Sequence, residues 1–313
     1  MKKSALKFGL FVTGIGLIAS VSMAVTSKPA SNSSSSEGFY TTFFKYSSET
    51  GNIKPVGKSP PVTPGLIRYG EWSYRGLCIG CHGVKADGNG AVWELADKYG
   101  QGHKLPRKPR DFTEAIYKVR STPSGSLPTD TDLFSAISRG LVADEDMPAF
   151  KFLPERDRWA IVAYLKTLTD RWEEEKDDQE DPIEVSSPTV PTTETLVAGK
   201  RVYELMKCAK CHGELGKGDG PSAPHLKDDN DLPIEPRDFS DASMFVAGSD
   251  PESVYTTFTT GFDGTPMPSF ADFLEEKERW ELVWYVMSLR NDWDLEKARA
   301  EILQMNNPDK APG

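Results

Sequence analysis

All four cysteines of the chain fall in two pentapeptides, Cys78-Ile-Gly-Cys-His82 and Cys208-Ala-Lys-Cys-His212, each followed by Gly. C-x-x-C-H is the attachment signature of c-type haem. The two thiols add to the haem vinyl groups as thioethers, and the adjoining His reaches the iron from the proximal side. A two-residue gap spans the vinyl positions while the short turn aims the imidazole at the metal. Other chemistries also use paired cysteines. A structural zinc site gathers four ligands in one place, whereas these pairs stand far apart in the chain, each in its own repeat. A thioredoxin-like motif expects a strand before it and a βαβ pattern around it, and neither is visible. Disulfides suit an exported chain but do not require His after the second Cys. The spacing assigns Cys78, Cys81, Cys208 and Cys211 as attachment points for two covalently bound haem c groups, with His82 and His212 as proximal iron ligands.

The elements around these motifs occur twice, in the same order. Gly70 and Tyr74 precede Cys78 as Gly199 and Tyr203 precede Cys208. Pro109-Arg110-Asp111-Phe112 recurs letter for letter as Pro236-Arg237-Asp238-Phe239, and Met147-Pro148-Ala149-Phe150 recurs as Met267-Pro268-Ser269-Phe270. Trp159 to Leu165 matches Trp280 to Val286. Conserved order of landmarks within one chain is the mark of duplication. The repeated Pro-Arg-Asp-Phe has no metal-binding logic, so its expected role is support: Arg110 and Arg237 toward a haem propionate, and a proline carbonyl toward the proximal imidazole. The competing reading is a surface Arg–Asp pair with a core Phe. Helical spacing of apolar residues predicts helices over Gly70–Leu77, Asp132–Gly140, Glu155–Thr169, Val197–Lys207, Pro251–Thr260 and Glu275–Arg290.

The remaining segments divide the chain. Lys2, Lys3 and Lys7 before an apolar run and Ser22-Met23-Ala24 form a secretory leader over residues 1–24. The alternative is an uncleaved anchor, since the uncharged run Phe8 to Val25 nears the ~20 residues that span a bilayer. An N-terminal extension over 25–62 carries the aromatic stretch Gly38 to Tyr46, read as packing on the first domain or as a partner-docking arm. Domains are expected over 63–172 and 194–293. The linker 173–193, acidic and then Ser/Thr/Pro-rich, is unable to bury much apolar surface, and a polar tail covers 294–313. Cleavage would remove three lysines and take the net charge from −10 to −13. Such a surface disfavours nucleic acid and anionic membrane, and would steer a redox partner with a basic docking face.

On these residues each half resembles a class I cytochrome c, which implies an all-α fold of a few helices wrapped around a covalent haem, twice in tandem. In that family a Met on a later loop is the distal ligand, so the resemblance implies the axial pairs His82 with Met147 and His212 with Met267. His103 and His225, the other histidines, lie at unmatched offsets and read as loop residues. The resemblance implies transfer of single electrons in the periplasm or an equivalent extracytoplasmic space. The chain would then be a shuttle or the haem subunit of a respiratory oxidoreductase complex, with no catalytic residue of its own. The alternative is a dihaem enzyme, peroxidase-like or sulfur-compound oxidising, in which one iron position opens.

Overall fold

The computed structural model describes residues 58–99, 108–141 and 147–306. The leader, the aromatic stretch Gly38 to Tyr46, His103 and the last residues of the tail lie outside them. Among the described residues the secondary structure is helical, with isolated bridges and no strands. The first half runs α1 (Pro64–Leu77), α2 (Ile79–His82), α3 (Ala91–Tyr99), α4 (Asp130–Arg139), α5 (Glu155–Leu165) and α6 (Arg171–Glu174). The second runs α7 (Thr193–Leu205), α8 (Ala209–His212), α9 (Pro251–Thr260), α10 (Glu276–Ser288) and α11 (Leu295–Asn306), with 3-10 turns at Ala223–His225 and Ala242–Met244. None of the described helices is long and apolar enough to cross a membrane.

The leading helices start earlier than their apolar spacing indicated, at Pro64 rather than Gly70 and at Thr193 rather than Val197, because caps set their ends. Thr63 Oγ1 accepts from the Leu66 amide at 3.1 Å and Pro64 occupies a first-turn position. Thr192 and Thr195 form a reciprocal capping box at the start of α7. Helix α3 went unrecognised in the sequence, lying between Gly-rich stretches.

In each half the helix before the haem motif crosses the late Trp-bearing helix at a glycine. A Cβ on Gly70 would overlap the Ala160 carbonyl oxygen, and one on Gly199 the Glu281 carbonyl oxygen. Close approach of two backbones requires the missing side chain. One turn after the crossing, Tyr74 and Tyr203 are buried, and their hydroxyls donate to Gly83 O at 2.8 Å and Gly213 O at 2.7 Å. These bonds tie the leading helix to the residue that follows the haem histidine. The late helices are buried over most of their circumference rather than on one stripe. Arg158, inside α5, stacks over Phe134 at 4.4 Å and donates to Ser138 Oγ, which is how a cation is accommodated in that core.

The Ser/Thr/Pro-rich stretch does not run free through solvent. Trp280 Nε1–H donates to Ser186 Oγ at 2.9 Å and Trp284 Nε1–H to Thr189 Oγ1 at 3.1 Å. Ile183, Val185 and Val190 pack on the second core, while the Ile183 amide donates to Ser121 O of the first half at 2.8 Å. The expectation of a segment that buries little fails here. Three scattered aliphatic residues and two hydroxyls suffice to dock it, against a helix whose tryptophans need acceptors.

The halves also meet directly. Arg120, 3% exposed, donates to Thr260 O at 3.0 Å and pairs with Asp263 at 2.8 Å. Asp263 further accepts from Ser124 Oγ at 2.9 Å and the Gly125 amide at 3.0 Å. Arg139 donates across the same boundary to Ala247 O at 2.8 Å. Because Asp263 serves both a buried guanidinium and a loop, Asp263→Asn should cost about 1.5–3 kcal/mol, the worth of hydrogen bonds to charged groups. Calorimetry should then resolve a weakened, less cooperative transition; an unchanged melting profile would show that the bonds contribute nothing to docking.

Candidate haem-binding sites

The short helices α2 and α8 carry the haem motif in both halves, and each ends at a glycine of positive φ, 81° at Gly83 and 79° at Gly213. The imidazole of each motif is fixed from two sides. His82 Nδ1 lies 3.3 Å from Arg110 O, and His212 Nδ1 lies 3.2 Å from Arg237 O. A carbonyl only accepts, so Nδ1 carries the proton and the lone pair is left on Nε2, the atom available to a metal. Phe112 stacks on the His82 ring with centroids 4.4 Å apart, and Phe239 on His212 at 4.3 Å. Burial lowers both histidines to about 4, which keeps them neutral at physiological pH, as ligation demands.

The Pro-Arg-Asp-Phe element is thereby explained, with a correction. The imidazole partner is the arginine carbonyl rather than the proline carbonyl. The Pro109 and Pro236 carbonyl oxygens instead lie within 2.5 Å of where a Cβ on Gly88 or Gly218 would be, too close for a side chain there. Asp111 and Asp238 close the turn by accepting from the amides of Thr113 and Ser240, both at 2.8 Å. The two arginine side chains part company. Arg237 lines the cavity beside His212, whereas the Arg110 guanidinium lies against Gly264 of the second half.

Burial pushes the Cys78 thiol up to about 12 and the Cys208 thiol to about 11. That direction is opposite to the depressed pKa of a reactive redox C-x-x-C. In the second half, Cys208, Cys211, His212 and Met267 share one cavity of about 390 Å³, within the range of roughly 300–1,000 Å³ typical of cofactor pockets. Its walls include Phe239, Phe245, Phe258 and Val286. A largely apolar slot, with thiols at one edge and a nitrogen and a sulfur donor on its walls, fits a covalently attached haem. In the first half Met147 and Cys78 border one core with Phe112.

The Met loops are held alike. The Leu141 amide donates to Met147 O at 3.0 Å and the Phe262 amide to Met267 O at 3.1 Å. Gly140 and Gly261, with φ of 74° and 70°, end the preceding helices where any Cβ would strike the Met-Pro backbone. Sequence reasoning had not singled out these glycines, nor the stacking of Phe112 and Phe239; their recurrence at matched places in the repeat was the available signal. His225 is exposed at the end of its 3-10 turn and does not line the cavity.

Comparison with known proteins identifies the family. The cytochrome c family model matches residues 196–290, and the model for cytochrome C oxidase, cbb3-type, subunit III matches residues 65–165. A chain of the reducing HAO-like protein complex of Kuenenia stuttgartiensis is similar in structure, with 41% sequence identity and a TM-score of 0.66. The match covers 75% of this chain and 100% of that one. No curated protein matches. Cytochrome c domains hold haem c covalently and transfer electrons, and two domains offer places for two haems. With both halves matched in tandem and a relative of this identity covered from end to end, the chain belongs to the cytochromes c, as a member with two tandem cytochrome c domains.

Proposed function

We propose that this protein passes single electrons between redox partners through two six-coordinate haems, His82 with Met147 and His212 with Met267 as axial pairs, and that it does no substrate chemistry. The observation that carries the reading is the equivalence of the two sites: the same imidazole clamp and the same glycine-anchored Met loop occur in both halves. A bound haem supplies a one-electron change at iron, and His/Met ligation favours a raised potential. The chain's own residues orient the imidazole, hold the sulfur donor and exclude water. An enzyme that binds substrate at iron would need one half to differ at the distal position.

The role is proposed as a haem subunit of a larger oxidoreductase complex in the periplasm or an equivalent compartment. Likeness to a chain from the reducing HAO-like complex supports this, and the leader-like N-terminus and the maturation of haem c outside the cytoplasm support the location. The acidic composition favours a partner with a basic face. Optical spectra of the holoprotein test the carrier reading. Both haems should be low-spin, show the weak red band of Met–iron(III) ligation and ignore carbon monoxide in the ferrous state. Carbon monoxide uptake by either haem would move the enzyme reading ahead. Isolation of the native assembly should recover a second redox subunit; recovery of the chain alone would favour a shuttle.

A further inference from the structure

The cavity of the second domain has one wall residue that the second domain does not supply. Lys118, from the loop after Phe112 in the first domain, lines it together with His212, Arg237 and Met267. The residue is 5% exposed, and its ammonium lies 5.6 Å from the centroid of Phe262, which stands on the Met267 loop. The same loop sends Arg120 to Thr260 and Asp263, so Lys118 is delivered by the docked boundary between the domains rather than by a free side chain. The repeat breaks at this place. Between Phe112 and Asp130 the first domain has Lys118 and Arg120, whereas between Phe239 and Asp250 the second domain has no lysine or arginine.

We infer that Lys118 is a charged wall of the second haem's site, contributed by the first domain, and that its charge raises the potential of that haem alone. The ferrous state carries one positive charge fewer than the ferric state, so a nearby ammonium in a poorly solvated wall favours reduction. Solvent screening is weak for a group this buried. Removing the charge therefore lowers the second potential, and the domain boundary becomes one of the elements that set the difference between the two haems.

The inference rests on the two-haem reading above, and the experiment separates the two. Redox titration of the holoprotein is followed for the wild type, Lys118→Met, Lys118→Gln and Lys118→Arg, with the second haem's wave assigned as the one displaced by Met267→Ala. Lys118→Met keeps the bulk of the side chain, and Lys118→Gln keeps polarity should the thioether perturb packing. Either neutral variant should move the second wave to lower potential and leave the first in place, and Lys118→Arg should restore it. A second wave that stays put in both neutral variants, or two waves that move together, overturns the assignment. Failure of the carrier reading would show elsewhere, as carbon monoxide uptake by the wild-type protein.

Discussion

Gly199→Val should yield a chain that carries one haem instead of two. The β-carbon would overlap the Glu281 carbonyl oxygen and come within 2.7 Å of Tyr285 Cβ, and neither atom is the movable tip of a long side chain. Helices α7 and α10 would have to separate, and with them the surroundings of Trp280 and Trp284, both 1% exposed. Overpacking alone typically costs about 1–3 kcal/mol. Here a backbone-to-backbone contact is lost as well, which places the change among the exceptional destabilisations above about 4 kcal/mol. Haem per polypeptide, measured on the purified protein, reports the outcome directly. Gly76→Ala provides the contrast: nothing lies within 4 Å of its would-be Cβ, and relief of chain entropy should stabilise by about 0.4–1 kcal/mol. Two full haems in the Gly199 variant would mean that the helices do not depend on this crossing.

Met267→Ala should open the second iron and leave the first untouched. The Met267 loop is pinned through its own carbonyl by the Phe262 amide at 3.1 Å and through Ser269 Oγ–H to Thr259 O at 2.6 Å. Loss of the sulfur therefore leaves the loop in place without a donor. The expected result is a second haem that turns high-spin, takes up carbon monoxide and falls in potential. Axial ligands account for much of a span of roughly 0.8 V among haem proteins, so the fall should be among the largest that any single substitution here produces. Retention of a low-spin ferric spectrum without carbon monoxide uptake would mean that another residue ligates.

Much of the fold was legible in the sequence, for reasons that differ by element. The attachment motif is local, and its spacing is dictated by the porphyrin, so two tandem cytochrome c domains could be read directly from it. The late helices were readable because tryptophan and aliphatic residues recur at helical intervals. The imidazole acceptor was placed one residue off, on proline instead of arginine, because a backbone carbonyl leaves no letter in the sequence. Arg120, Arg139 and Arg158 were invisible as interior residues, since composition places charged groups in water and their partners are remote. The Arg120 bond to Thr260 spans 140 positions. Lys118 was silent for the same cause: nothing in one domain's sequence announces a wall of the other's cavity.

The docked stretch ahead of α7 bears on how such a protein can be taken apart or recombined. On its repeats alone, a duplicated gene offers two interchangeable cassettes with the cut at Thr193. Cutting there would strip Ser186 and Thr189 from the indoles of Trp280 and Trp284 and remove Ile183, Val185 and Val190 from the second core. The second cassette therefore has to be drawn upstream of its own first helix. Ile183, hydrogen-bonded to Ser121 and packed on the second core, is a residue that both modules own.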